Sequence, residues 1–405
     1  MAAQTIRLYY VLWLITEFGL SMTFVTYALF LKEFGGLGFL GICCMNLFHF
    51  TVKACMEVPT GAAADLLGRK FLSVFSCIII AAASLLYGGS TSIAGFLVAE
   101  GIFAIGFACA NGAFSAWMRD RVIYFGYTAE QVNPVYIRRD LYTRLTWICS
   151  GPLGAWLYTV DPTLPWTSGG LVIGVGAVCR FVLMKEDHTP QRTTPRRKKR
   201  GTVKDQWFAF VMHTQLCHRH IQRSQPMKAI LLMVLVQNFA VQAPNMFWQL
   251  HFSALLGNTV FLGPFFSASS VSMFVGILLC ASVRRRIGVR KTLLLIQLVI
   301  GFGIAFAGLP YAAVAVSVFL VHEAGRGMFG PVNEAYLNTL IPPRKSSKRA
   351  TVLSFESMFG HMGSIIGLLF AGVTAELTNS IPTTWLLAGS ILVFVTYGLV
   401  RLKNK

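Results

Sequence analysis

Residues 61–70 read GAAADLLGRK and place one acid and two bases between stretches that are almost wholly apolar. The rest of the chain avoids charge, with only 13% charged residues and a mean hydropathy of +0.61. A soluble domain averages about 25% charged residues, so this composition is that of a membrane protein. The charged stretch therefore marks a connection between two membrane spans.

Apolar runs recur along the whole chain, each near the roughly 20 residues that cross a hydrocarbon core. The first run carries Glu17, is long and lacks a small-residue cleavage site, so we expect a retained span rather than a signal peptide. Together the runs predict an all-α membrane protein with twelve transmembrane helices. The predicted spans are 8–31, 37–62, 71–88, 92–118, 136–160, 164–184, 227–251, 260–283, 291–308, 311–340, 350–376 and 382–401.

Basic residues lie in alternate gaps between the predicted spans. The formal net charge is +19, from 35 Lys and Arg against 16 Asp and Glu. The bases gather at 69–70, 119–139, 284–291 and 344–349, while the intervening gaps hold almost none apart from Lys32. This positive-inside pattern predicts that both termini are cytoplasmic. It also accounts for the positive charge without a nucleic-acid partner.

A polar segment at 185–226 separates two predicted six-span bundles, 1–184 and 227–405. Its first part is rich in Pro, Thr and bases, which is typical of a solvated linker. Its second part mixes Trp207 and Phe208 with bases, which is compatible with an amphipathic helix on anionic membrane lipids. A solvated basic linker without a dedicated partner explains the same residues, and both alternatives stay open.

The two bundles echo each other, because ASVRRRIGVRK follows span eight as GAAADLLGRK follows span two. Paired six-helix halves are the layout of many secondary transporters. With its basic central segment, the whole chain resembles the major facilitator superfamily, whose loop motif is G-x-x-x-D-x-x-G-R-K/R. The resemblance implies two pseudo-symmetric six-helix bundles and a transporter rather than an enzyme. The matching residues are Gly61, Asp65, Gly68, Arg69 and Lys70.

The resemblance also implies a gate at this loop. In the family Asp65 would face the start of the eleventh span, where a helix N-terminus favours an anion and Arg349 adds attraction. Arg69 and Lys70 are candidates to pair with Asp120. A charge lock that forms in one state and breaks in another serves alternating access. The alternative is that these charges only set the topology.

Three departures weigh against a drug–proton antiporter. The corresponding loop after span eight has Arg285 at the position of Asp65. The predicted charge lock therefore has its acidic residue only in the first half. Span four has Glu100 where antiporter relatives show an arginine. Span five reads CSGPLGAW, with Ala155 and Trp156 in place of two glycines of the antiporter pattern.

Ionisable residues inside a membrane are costly and usually face a cavity or a partner. Glu17, Glu100 and Glu323 are therefore candidate proton carriers, and Arg326 lies three residues from Glu323 on the same helix face. A permanent hydrogen bond or a permanently neutralised pair is the alternative for each acid.

Polar side chains in spans four and seven are candidates to bind the cargo, since the family uses these spans to line its central cavity. Amides bind neutral or zwitterionic molecules, although they also form hydrogen bonds between membrane helices. The candidate residues are Asn111, Asn238, Gln242, Asn245, Trp248 and Gln249. No role follows from the sequence for His49, Lys53, His322, Glu356 and His361.

These features favour a monomeric secondary transporter that exports an amphipathic or polar organic compound against protons. No Walker loop indicates ATP drive, and His and Cys lack metal-ligand spacing, so we expect no cofactor or metal. The outer loops lack an N-x-S/T acceptor, which favours a bacterial inner membrane. The alternatives are a proton-independent facilitator, a proton symporter that imports a metabolite, a lipid-handling relative, and a membrane sensor that transports nothing and works through its linker.

Overall fold

The computed structural model describes residues 1–110, 112–185, 224–340 and 346–401. Long helices fill these ranges and confirm the predicted all-α fold. In chain order the elements are α1 (Ala2–Phe24, continued by Tyr27–Leu29 and Phe30–Phe34), α2 (Phe39–Leu67), α3 (Arg69–Gly89), α4 (Ile93–Ala110, continued by Ala113–Tyr124), α5 (Ala129–Val160), α6 (Leu164–Leu183), α7 (Gln225–Leu256), α8 (Leu262–Ile287), α9 (Val289–Ala307), α10 (Ala312–Leu340), α11 (Ser346–Thr378) and α12 (Ile381–Arg401).

Most of these elements can cross a membrane. Among the described residues, ten helical stretches are long and apolar enough, and α1 with its bent continuation makes an eleventh. α5 completes the order but does not meet the criterion, since its first half carries Arg138, Arg139, Asp140 and Arg144. The twelve-span prediction is consistent with this arrangement.

Two spans that the sequence predicts as continuous are broken. α1 bends by 42° between Phe24 and Tyr27. α4 resumes at Ala113 after Gly112, whose φ of 82° lies in the left-handed region that favours glycine. Each break exposes backbone polar groups that need partners from neighbouring helices.

The similarity between the loops after α2 and α8 extends to their backbone conformation. Gly68 joins α2 to α3 with φ 91° and ψ 151°, and Gly288 joins α8 to α9 with φ 82° and ψ 157°. Both conformations are open to glycine and strained for other residues. The two loops therefore make the same sharp turn, although Asp65 has no acidic counterpart in the second.

The helices of the two halves pair in the same way. In the first half α1 packs on α5, α2 on α4 and α3 on α6, and in the second half α7 packs on α11, α8 on α10 and α9 on α12. Between the halves, the main contacts join α2 to α11 and α5 to α8. A cavity can therefore open between the halves without disturbing the pairs within them.

Glycines bring the paired helices into backbone contact. A Cβ at Gly154 would overlap the Met22 carbonyl where α5 crosses α1, and a Cβ at Gly363 would overlap the Leu235 carbonyl where α11 crosses α7. Small residues at such crossings let membrane helices approach closely, which compensates for the weak hydrophobic driving force in lipid.

Candidate functional site

A cavity of about 320 Å³ lies between the two halves, which is at the small end of ligand pockets. α5 of the first half contributes Arg144 and Trp147, and α7, α8 and α10 of the second half form the other walls. Its lining residues are Arg144, Trp147, Asn245, Trp248, Phe266, Ser269, Ser270, Met273, Phe319, Glu323 and Arg326. The cavity thus brings together two predicted cargo-binding residues and two predicted proton-coupling residues.

The predicted pair on α10 forms in this wall. Arg326 Nη1 donates to Glu323 Oε1 over 2.7 Å, and His322 Nδ1 lies 3.6 Å from the same carboxylate. His322 is fully buried, and neither ring nitrogen has a hydrogen-bond partner in the described chain. The wall therefore holds an ion pair, with a buried imidazole next to it on the same helix.

Stacked aromatic rings line the cavity between the halves. The Phe266 ring stacks between Trp147 at 5.7 Å and Trp248 at 5.9 Å, with interplanar angles of 24° and 13°. Trp147 Nε1 also donates to Glu17 Oε2 over 3.0 Å. Trp147 therefore links the candidate proton carrier of α1 to the cavity wall.

Glu100 of the first half is contacted by three polar side chains. Its carboxylate is 3% exposed, lies 2.6 Å from His49 Nδ1, and accepts the Tyr27 hydroxyl over 3.3 Å and the Tyr87 hydroxyl at closer range. These donors come from α1, α2 and α3, and Trp166 stacks on Tyr87 at 4.3 Å. An imidazole against a buried carboxylate is an arrangement that can take up and release a proton.

A second cavity of about 220 Å³ lies inside the first half, and Glu17, Lys53 and Arg180 line it. Arg180 is 3% exposed, and its guanidinium bonds the Ser73 and Thr16 hydroxyls at 3.1 and 2.9 Å. No acid of the described chain lies within ion-pair distance of Arg180. This buried cation is held by neutral groups.

The bundle end opposite Gly68, which we name the far end, is closed by contacts between the halves. At the α1 break, Gln249 Nε2 donates to the Phe24 carbonyl over 2.7 Å, and Gln249 Oε1 accepts the Ala28 amide over 2.5 Å. Nearby, the Leu40 amide donates to Glu376 Oε2 over 3.1 Å. One α7 amide thus satisfies the backbone groups that the break of α1 exposes.

We expect Gln249→Leu to loosen the far end, because it removes both bonds to α1 while keeping a side chain of similar length. The loss of two bonds, at about 1 kcal/mol each, shifts an open–closed equilibrium by about 30-fold. Spin-label distances between the exposed far-end positions Thr91 and Tyr311 measure the shift as a growing long-distance population.

The matched control is Gln242→Leu. This amide lies on the same helix but bonds Ser364 within its own half, at 3.0 Å. An unchanged distance distribution in Gln249→Leu, or an equal change in both variants, would contradict a closing role for Gln249.

The predicted amides of α7 have different surroundings. Asn245 lines the central cavity together with Trp248, whereas Asn238 donates to the Val234 carbonyl of its own helix. The Gln242 and Gln249 side chains are buried against α11 and α1 respectively. Asn111 lies outside the described residues.

Only part of the predicted gate lies within the residues that the structure describes. Arg69 Nη1 pairs with Asp120 and donates to the Ala116 carbonyl over 2.9 Å, and Lys70 lies over the Phe181 ring at 5.4 Å. The Arg69–Asp120 pair joins α3 to α4, so it lies within the first half. A Cβ added at Gly61 would have no atom of a neighbouring element within 4 Å. The side chains of Asp65 and Arg349 lie outside the described part, as do residues 186–223 of the predicted linker.

Sequence reasoning missed Arg144, Trp147 and Arg180. Arg144 and Arg180 are charged residues inside predicted spans. A charge in such a position is by itself a reason to consider a functional site. The hydroxyl partners Tyr27 and Tyr87 carried no such signal, because tyrosine is ordinary in an apolar helix.

Comparison with protein families decides the class. A family model described as Major Facilitator Superfamily matches residues 10–346. The chain belongs to the major facilitator superfamily. The match confirms the predicted family, and it places the chain among transporters rather than enzymes. No curated protein matches the sequence.

Solved structures of other superfamily members share the fold. The nucleoside transporter NupG is 13% identical, with a TM-score of 0.78 over 99% of each chain. A bacterial homologue of the human lysosomal transporter Spinster is 12% identical, with a TM-score of 0.68 over 98% of this chain and 94% of that one. A D-xylose–proton symporter is 12% identical, with a TM-score of 0.69 over 98% and 97%. At these identities the likeness concerns the fold alone.

Proposed function

We propose that this superfamily member is a secondary active transporter that exports a small organic molecule in exchange for protons, by alternating access. The observation that carries the proposal is the polar cavity between the halves, in which the Glu323–Arg326 pair faces aromatic rings. Cargo sites near the midplane, at the interface of the repeats, are general in such transporters.

The separation of charges supports proton coupling. Glu100 and His49 form a protonatable pair inside the first half, while Glu323 lies on the cavity wall in the second half. Glu17 lines the cavity of the first half and is joined to the central cavity by its bond to Trp147. A proton bound on one side and a cargo bound on the other can bias the same rocking motion, which is the requirement for coupling.

Flux into liposomes tests the proposal. A compound selected by its thermal stabilisation of the purified protein is supplied outside vesicles whose lumen is acidic, neutral or alkaline. Exchange against protons predicts that the acidic lumen drives uptake, since protons then leave as cargo enters. An uncoupler that dissipates the gradient should abolish the accumulation.

The same assay distinguishes the alternatives. Uptake driven by an acidic exterior would indicate symport, and uptake indifferent to the gradient would indicate a facilitator. If no compound that stabilises the protein crosses the membrane in any condition, the transport proposal is wrong and a sensor becomes the better hypothesis.

A further inference from the structure

The central cavity has an unbalanced charge. Its described lining carries two guanidinium groups, Arg144 and Arg326, and one carboxylate, Glu323. Glu323 pairs with Arg326 at 2.7 Å on the same helix. Arg144 lies on α5 of the other half, where the Trp147 ring is 5.0 Å from it, and no hydrogen bond or ion pair of its side chain is found in the described chain. Arg144 interacts with Glu323, Asp140 and Glu17 only at longer range, so no carboxylate of the described chain is hydrogen-bonded to its guanidinium.

A partly buried cation without an ion-pair partner carries a desolvation cost, and an arriving anion offsets part of that cost. A guanidinium suits a carboxylate in particular, because its planar fork donates two parallel hydrogen bonds. The wall can therefore bind one negative charge without a net charge remaining in the cavity.

The aromatic part of the lining suits a flat, apolar group. Trp147, Phe266 and Trp248 stack on one another and line the cavity together, and aromatic rings also pair favourably edge to face. Ser269 lines the same space, and its Oγ is buried without a hydrogen-bond partner in the described chain. The cavity thus offers one cation, an aromatic surface and one unsatisfied hydroxyl.

We propose, on the basis of the transport function above, that the cargo is a small organic monoanion with a flat ring. Its carboxylate pairs with Arg144 and its ring packs against Trp248 and Phe266. Ser269 donates to a further polar atom of the cargo. The volume of about 320 Å³ limits the molecule to a single compact ring system with few substituents.

Three probes that share one ring separate the effect of charge: benzoate, benzamide and benzylamine. Thermal stabilisation of the purified protein at pH 7 measures their binding. We expect benzoate to bind most tightly, and Arg144→Gln to weaken it by roughly 10- to 100-fold, the range of a hydrogen bond to a charged group. Arg138→Gln is the matched control, because Arg138 is exposed on the same helix. Arg144→Lys keeps the charge without the fork and gives an intermediate loss; it replaces the Gln variant if that variant does not fold.

Equal binding of benzamide or benzylamine, an absence of benzoate binding, or unchanged affinity in both Arg144 variants would overturn the monoanion assignment. Each of these outcomes leaves the transport proposal standing, since another cargo can still cross the liposome membrane. Benzoate that binds through Arg144 supports the assignment of the site whether or not it is carried, whereas the proposed function fails only if no stabilising compound crosses the liposome membrane.

Discussion

Glu100→Gln should reduce proton-driven transport about tenfold or more, while exchange of cargo down its own gradient persists. A glutamine has nearly the shape of the carboxylate but cannot bind or release a proton. Because the carboxylate accepts from His49, Tyr27 and Tyr87, the variant also loses a charge-assisted hydrogen bond, at a cost of about 1–3 kcal/mol. The folded protein should therefore survive with its coupling removed.

The measurement compares two fluxes in the same liposomes: uptake driven by an acidic lumen, and exchange without a pH gradient. Glu130→Gln, in the exposed first turn of α5, is the control for the loss of one acid. An unchanged ratio of the two fluxes in Glu100→Gln would rule out Glu100 as the carrier. If Glu17→Gln and Glu323→Gln also leave that ratio unchanged, proton coupling itself is wrong.

The sequence was sufficient for the fold because hydropathy and charge act over whole segments. The predicted spans 71–88 and 164–184 agree closely with α3 (Arg69–Gly89) and α6 (Leu164–Leu183). The break of α1 was not predictable in the same way, because nothing in its apolar run marks a bend. The backbone at the break is hydrogen-bonded by Gln249, which is more than two hundred positions away in the chain.

The candidate site was predictable only as a set of chemically suitable residues. Periodicity places His49 and Glu57 on one face of α2, but it does not show that this face meets Glu100 of α4. The amides of α7 illustrate the same limit, since Gln242 and Gln249 share a face yet bond different helices. The hydrogen-bond partner of a side chain depends on how the helices pack. The residue pattern of a single helix does not contain that information.

The packing itself allows a prediction with a large effect on stability. Gly363→Val should largely abolish the folded protein, because α11 meets the α7 backbone at this point. A Cβ there would overlap the Leu235 carbonyl oxygen, and the adjacent Gly367 stands equally close to the Phe239 carbonyl. Backbone cannot move aside as a side chain does, so the cost lies at or above the upper end of over-packing, about 3 kcal/mol. The yield of monodisperse protein and its melting temperature measure the loss.

Gly398→Val is the matched control, since a Cβ at Gly398 of α12 meets nothing within 4 Å. The two variants add the same side chain to a membrane helix, so they differ only in what the new atoms meet. If Gly363→Val folds and melts like Gly398→Val, then α7 and α11 do not approach as closely as described. That result would also bear on the cavity, because α7 packs along α11 and contributes Asn245 and Trp248 to the cavity lining.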